Sequence, residues 1–330
     1  MPQLSLETAQ KLVHEKLLKH GCSSENARSV AQALTLAEAD GLKGHGLSRL
    51  PSYVGQLKAG KVDGGAVPLA TRNAPGVINI DAAHGFAFPA LDLALAQLGE
   101  PAASCGLAVA TIRRSHHSGA AGHPVERLAE QGLVAMFFAN TPAAMAPWGG
   151  RKPLFGTNPI AFACPLEGMP PLVIDLSLSK VARGNIMAAK QKGMPIPEGW
   201  ALDAEGRPTT DPDAALAGTM VPMGDAKGTA LALMVELLAA GLTGAKFASE
   251  ASSFLDDKGG PPGTGQMILV LDPDRLGGPG TRAHCARLAL AVSDEPGARL
   301  PGRRRLMARA TAQREGIVIA PELATQLEAL

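Results

Sequence analysis

Apolar and polar positions alternate along the chain with two periods. In the first forty residues the period is helical: Leu6, Ala9, Leu12, Val13, Leu17 and Leu18 fall on one face, and a second helix runs to Ala39 after a break at Gly21. Ser23 or Ser24 is placed to cap that second helix, with Glu25 in its first turn. Glycine, proline and polar residues dominate from Gly60 to Pro75, after which Val77 to Asp81 reads as a strand and Ala90 to Gly99 as a helix.

The clearest alternation follows. A strand from Leu107 to Ile112, a loop from Ser115 to His123, a helix opening with Pro124 and a strand from Leu133 to Ala139 predict a βαβ unit, with Gly132 supplying a left-handed helix stop. Strands are expected at Ile160 to Cys164, Leu172 to Leu176 and Gln266 to Leu271. Pro195 to Pro212 reads as a surface excursion with little regular structure. A long apolar helix runs from Lys227 and Gly228 to Leu242, and tail helices lie around Cys285 to Ser293 and Arg303 to Gly316. The apolar stretch from Gly228 to Ala245 is interrupted by Glu236 and by glycines, which predicts a core helix rather than a membrane span.

Composition narrows the partners. A chain of 330 residues with a net charge of +1 has no broad basic field for nucleic acid, and 3% aromatic residues offer no base-stacking platform, so a small molecule is the expected partner. The four cysteines, Cys22, Cys105, Cys164 and Cys285, have no CxxC spacing, and Met1 to His20 lacks the charged start and apolar block of a signal peptide. Both observations point to a reduced cytoplasmic setting.

Two stretches carry candidate chemistry. Asp40 to Tyr53, D-G-L-K-G-H-G-L-S-R-L-P-S-Y, sets His45 and Arg49 four residues apart. If that segment is helical, a proton donor and an anion clamp share one face and suit a carboxylate-bearing substrate. The bland alternative is a loop whose histidine bonds nearby backbone. The second stretch, His116 to Gly122, has small side chains that would let backbone approach a pyrophosphate ahead of a helix start; its alternative is a tight turn whose small residues serve packing. The nearest string to G-x-G-x-x-G, with Gly278, Pro279, Gly280 and Ala283, has no βαβ unit beyond it and includes a proline without an N–H. His116, His117 and His123 lack a nearby carboxylate or cysteine to complete a metal site, so none is expected.

Taken together, the motifs resemble the malate/L-lactate dehydrogenase family of non-Rossmann NAD(P)H oxidoreductases nearly end to end. Within it the chain looks most like the Δ1-piperideine-2-carboxylate/Δ1-pyrroline-2-carboxylate reductases. The resemblance is carried by H-G-L-S-R-L-P-S-Y from His45, S-H-H-S-G-A-A-G from Ser115, G-T-N-P from Gly156, I-D-L-S from Ile174, A-R-G from Ala182, A-K-G-T-A-L-A-L-M-V-E-L-L from Ala226 and R-L-P-G-R-R-R from Arg299. It implies a mixed-sheet α/β fold with a helical N-terminal segment. Its expected parts are an N-terminal segment over 1–113 that packs with the C-terminal helices, an NADPH-binding domain over 114–284 and a C-terminal helical segment over 285–330, in a homodimer.

The resemblance also implies roles. His45 is the proton donor, and Arg49, Thr157, Arg183 and Gly184 hold a cyclic imino acid. His117, Ser118, Gly119, Ala120, Ala121, Asp175, Leu176, Ser177, Lys227 and the segment Arg299, Leu300, Pro301, Gly302, Arg303, Arg304, Arg305 line the site for NADPH, with NADH a weaker substitute. Clustered guanidinium groups near Arg299 suit phosphate oxygens, a solvated basic face being the alternative. Two places depart from the family pattern: Gly44 stands where a serine usually precedes the histidine, and Asn185 where an aspartate usually follows A-R-G. An asparagine orients an imidazole but does not stabilise its charged form, which tilts the expected chemistry toward imines, whose nitrogen is far more basic than a carbonyl oxygen. The rival readings are a 2-hydroxy acid dehydrogenase for malate, lactate, ureidoglycolate or a sugar acid, and a cofactor-binding protein with little catalysis.

Overall fold

The computed structural model describes residues 3–330. Strand β1 (Gln3–Leu4) leads into α1 (Leu6–Lys19) and α2 (Ser24–Ala39), capped by Ser5 and Ser23, whose hydroxyls accept the backbone N–H groups of Thr8 and Asn26. The turn between the helices needs a left-handed residue, which Gly21 supplies at φ +86°. Of the expected α1 stripe, Ala9, Val13 and Leu17 are buried, whereas Leu18 is exposed.

The segment after α2 does not continue as an α-helix. Lys43–His45 and Leu47–Arg49 are separate 3₁₀ turns broken at Gly46, and α3 (Leu50–Lys58) starts only afterwards. The break has a tertiary cause: a Cβ on Gly46 would lie 2.2 Å from Oε2 of Glu38, which accepts the Leu47 N–H at 2.9 Å. The α-helical geometry expected for His45 and Arg49 is therefore corrected.

The chain then builds one seven-stranded mixed sheet. It comprises β2 (Leu69–Ala74), β3 (Val77–Asp81), β4 (Leu107–Ser115), β5 (Val134–Ala139), β6 (Ile160–Leu166), β7 (Met169–Leu176) and, much later, β11 (Thr264–Leu271), in the order β2-β3-β4-β11-β5-β6-β7. Only β3 and β4 pair in parallel. Helices α4 (Ala87–Cys105) and α5 (Gly122–Glu130) cover one face; the βαβ unit β4–α5–β5 is present, but β11 is inserted antiparallel between its strands. Helix α5 starts two residues before Pro124, and Gly132 ends the turn after it at φ +89°. Residues 113 and 114 lie within β4, whose neighbours β3 and β11 come from either side of the expected division, so one sheet carries both segments.

Helix α6 (Arg183–Gln191) follows β7. The stretch expected to be irregular instead contributes β8 (Ala201–Leu202) and β9 (Pro208–Thr209), which join β10 (Thr219–Met220) after α7 (Pro212–Ala217) in a small three-stranded sheet. Helix α8 (Ala226–Glu236) ends in a π turn at Leu237–Gly241 and packs on the second face of the large sheet with Phe138, Met145 and Met267. Beyond β11 come α9 (Pro273–Gly277), α10 (Thr281–Asp294), α11 (Arg303–Glu315), β12 (Ile317–Val318), paired with β1, and α12 (Pro321–Ala329). Ala312, Ile317, Ile319 and Leu327 from this tail share a core with α1, α2 and α3. No helix among the described residues is long and apolar enough to cross a membrane.

Candidate active site

The 3₁₀ turns bring His45 against the loop that follows β4. His45 Nδ1 lies 3.2 Å from His117 Nε2, with the two ring planes within 8°, and His117 Nδ1 lies 2.7 Å from the hydroxyl of Tyr53 on α3. Tyr53 is fully buried among Phe86, Phe88 and His116. Burial pushes the His45 imidazole down to about 4, helped by the charge of Arg49 and by His123. His117 lies well below its ordinary value for the same first reason, with Arg49 and His45 adding to it. His45 is thus uncharged near neutral pH.

Arg49 is anchored by its Nε donating to Gly44 O at 2.6 Å, leaving the outer nitrogens of its guanidinium for an anion. The expected pair of His45 and Arg49 is brought together, although by 3₁₀ turns. Gly44 is exposed, with open space where a side chain would be.

The histidines of the second motif diverge. His116 Nε2 meets Gln56 Oε1 at 2.5 Å, and Gln56 Nε2 in turn donates to Phe254 O at 2.9 Å. His123 Nε2 lies 2.9 Å from Oδ2 of Asp40. That carboxylate, fully buried, also accepts from Arg305 Nη1 at 3.0 Å and from Arg309 Nε and Nη2 at 2.6 and 2.8 Å, while Glu126 of α5 accepts from both arginines at 2.7 Å. Arg305, implied as a cofactor residue, is therefore spent on an internal ion network. Arg299, Arg303 and Arg304 are exposed, with no ion-pair partner among the described residues.

The cradle fits a cofactor in part. Gly119 takes φ +70°, and a Cβ there would lie 2.8 Å from the Phe88 ring, so only glycine passes that point. Ser118, Ala120 and Ala121 are buried around it. The N–H of Gly122 at the start of α5, however, already donates to Asp175 Oδ2 at 2.8 Å. Burial raises that carboxyl and the Gly122 N–H lowers it. A phosphate at this helix start would compete with a carboxylate for one donor, so the geometry suits a hydroxyl beside Asp175 better than the pyrophosphate expected from sequence.

Leu176 and Ser177 continue from Asp175, and the Ser177 hydroxyl lies 2.6 Å from that of Ser179. Thr157 is held by its N–H donating to Thr141 Oγ1 at 2.9 Å, and its carbonyl accepts from Leu178 at 2.8 Å, which ties it to the same strand end. Gly302 packs on that strand too, since a Cβ there would lie 3.2 Å from Val173 O. Pro301 is exposed, and Leu300 packs beside Cys164 and Leu166. Lys227 is exposed in the first turn of α8.

Arg183, Gly184 and Asn185 open α6. Arg183 Nη2 reaches Leu216 O at 3.5 Å, and its buried Nε has no partner. Asn185 makes no side-chain hydrogen bond among the described residues, and the bond made by His45 goes to His117 instead. Within one chain the Asn185 amide is thus not what orients His45.

Sequence reasoning overlooked Tyr53, Gln56, Asp40, Glu126 and Arg309 as parts of this surround. Tyr53 had a signal, being the only tyrosine in the chain and lying inside the His45 motif. Glu236 had one too, as a lone carboxylate in an apolar helix: it accepts from Asn140 Nδ2, Asn158 Nδ2 and the Ala248 N–H at 3.1, 2.7 and 2.6 Å, fixing the loops on either side of Thr157. The glycine-rich segment at Gly280 borders a cavity of 760 Å³ whose charged lining is Glu130, Glu167 and the ion pair of Asp274 with Arg282, a net negative wall that does not suit phosphate.

Residues 4–328 match the family of malate/L-lactate dehydrogenases. The chain belongs to that family. Similar members of the malate/L-lactate dehydrogenase family include a (2R)-3-sulfolactate dehydrogenase (NADP(+)) of Chromohalobacter salexigens, 55% identical over 302 residues that cover 92% of this chain and 90% of the relative. A Delta(1)-pyrroline-2-carboxylate/Delta(1)-piperideine-2-carboxylate reductase of Pseudomonas putida is 42% identical over 315 residues, covering 94% and 91%. Among solved structures, the delta1-piperideine-2-carboxylate reductase from Pseudomonas syringae pv. tomato superposes with a TM-score of 0.94 at 39% identity, covering 100% of this chain and 99% of that one. The sulfolactate dehydrogenase thus exceeds the P. putida reductase in identity, and family membership leaves two substrate classes in play.

Proposed function

We propose that the protein uses NADPH to reduce cyclic 2-imino acids, taking Δ1-pyrroline-2-carboxylate to L-proline and Δ1-piperideine-2-carboxylate to L-pipecolate. The observation that supports this is the state of His45: a desolvated, uncharged imidazole bonded to a second imidazole and not to a carboxylate. An uncharged imidazole is a feeble acid, and reducing a carbonyl needs an acid at the oxygen. An imine nitrogen is far more basic than a carbonyl oxygen, so a hydrogen bond from that feeble acid is enough. Arg49 pairs with the substrate carboxylate and the His45 Nε2 side faces the ring nitrogen. Thr157, Arg183 and Gly184 complete the substrate contacts.

NADPH supplies the hydride. Arg299, Arg303 and Arg304 suit its phosphate oxygens, and Asp175 suits a sugar hydroxyl. Ser118 to Ala121, Ser177 and Lys227 fill the remaining cofactor contacts. The exposed apolar side chains Leu233, Leu237 and Leu242 on α8 and its extension support a homodimer, in a cytoplasmic setting.

A second reading is favoured by one observation, the 55% identity with the sulfolactate dehydrogenase. In that case the substrate is a 2-hydroxy acid bearing a second anionic group, oxidised by NADP⁺. The deciding assay follows the NADPH absorbance band with two substrates in parallel. Loss of absorbance with Δ1-pyrroline-2-carboxylate, without comparable turnover of pyruvate or oxaloacetate, is expected. Gain of absorbance with NADP⁺ and (2R)-3-sulfolactate, and no loss with the imine, selects the second reading. NADPH binding without turnover of any of these leaves a cofactor-binding protein of weak catalysis.

A further inference from the structure

The chain of rings behind His45 does more than fill space. Tyr53 is fully buried, so its O–H has no water to donate to, and the hydrogen bond recorded for that hydroxyl is to His117 Nδ1 at 2.7 Å. A buried hydroxyl proton without an acceptor is costly, so Tyr53 donates. His117 Nδ1 is then the acceptor, and His117 carries its proton on Nε2. That proton points at His45 Nδ1, 3.2 Å away, which must accept. The remaining proton of His45 is left on Nε2, which bonds to no group among the described residues.

We infer that Tyr53, acting through His117, is a positioning residue that fixes His45 in the tautomer carrying its proton on Nε2. The inference deepens the proposed function, since it rests on His45 as the proton-handling group; it supplies the orientation that neither Gly44 nor Asn185 supplies within the chain. It also gives His117 a role other than the cofactor contact implied by family resemblance, because both of its ring nitrogens are already used.

The same chain resists charging of His45. A second proton on Nδ1 would meet the His117 Nε2–H head on. Relief requires His117 to move its own proton to Nδ1, which the Tyr53 hydroxyl blocks. The other charged or titratable groups around the pair are Arg49 from the adjoining turn, His116 from the β4 loop, His123 from α5, Lys43 on the same turn and Glu38 from α2, which bonds the Leu47 N–H. Of these, Arg49, His116 and His123 oppose charge on the pair.

The test is nitrogen NMR of the ¹⁵N-labelled full chain, with the His45 ring assigned by its loss in His45→Gln. In the native protein His45 is expected with a bare Nδ1 and a protonated Nε2. In Tyr53→Phe, His117 is free to take its proton on Nδ1, and the midpoint of His45 protonation is expected to rise by about one pH unit, a tenfold change in the equilibrium. A His45 found with its proton on Nδ1 in the native protein, or an unchanged midpoint in a folded Tyr53→Phe, overturns the inference. A tyrosine that merely packs would lower thermal stability and move neither signal. Should Tyr53→Phe not fold, the native tautomer alone decides. Neither readout needs substrate, so a failed imine assay and a failed tautomer are separate results.

Discussion

Asp40 holds three parts of the site together, and removing its charge is the perturbation with the largest expected effect on stability. Its fully buried carboxylate accepts from His123 of α5 and from Arg305 and Arg309 of α11, by four contacts between 2.6 and 3.0 Å. The two guanidiniums are only 12% and 18% exposed, so solvent screens them little. Asp40→Asn keeps the shape and one acceptor but leaves two arginines facing the single charge of Glu126. Breaking a buried pair from one side costs about 3–5 kcal/mol, and the surviving Glu126 contacts put this substitution near the lower end, about 3 kcal/mol. For a chain of this size that is a fall of roughly 4 °C in melting temperature. The arginines beside them hold the Asp40 and Glu126 carboxyls below their ordinary range against the opposing effect of burial. With folded values depressed, their contribution is complete above the unfolded carboxylate range, near pH 4, and is lost as pH falls through the folded values. Asp40→Asn should therefore lose less stability than the native protein between about pH 4 and pH 2. Thermal melts at neutral and acid pH check both parts. A variant within about 1 kcal/mol of the native protein, with the same acid dependence, would refute the reasoning.

Gly156→Ala should destabilise by about 1–3 kcal/mol, because the new Cβ would lie 2.1 Å from both the carbonyl and the hydroxyl oxygen of Thr141, the residue that positions Thr157; denaturant melts measure it. Arg49→Lys should raise KM for a carboxylate substrate about tenfold, about 1.4 kcal/mol of binding, with a smaller change in kcat, because lysine lacks the flat two-pronged donor that Arg49 presents once Nε is fixed on Gly44 O. Steady-state kinetics separate the two constants, and an unchanged KM would remove Arg49 from the substrate site.

Local features were legible in the order of the residues. The α1 and α2 break at Gly21, the Ser23 cap, the strand Val77–Asp81 and the helix between β4 and β5 follow from periodicity, capping and the left-handed preference of glycine, all of which act within a few residues. Strand β2 was not legible, because it is an edge strand whose residues are mostly exposed and show no apolar alternation. The small sheet within 195–220 escaped for a related reason: its strands are two residues long, too short to show a period. The motif around His45 announced chemistry without announcing its geometry.

Sequence by itself determined the family, the mixed α/β class, and that His45 and Arg49 lie four residues apart. Tertiary structure alone decided what surrounds them. His45 meets His117 across 72 residues, Asp40 meets Arg309 across 269, and Glu38 breaks the expected helix at Gly46 by occupying the space of a side chain. Local preferences act over a turn or two of chain. Hydrogen-bond partners, desolvation and the charge state of an imidazole depend on which distant segments the sheet and helices press together.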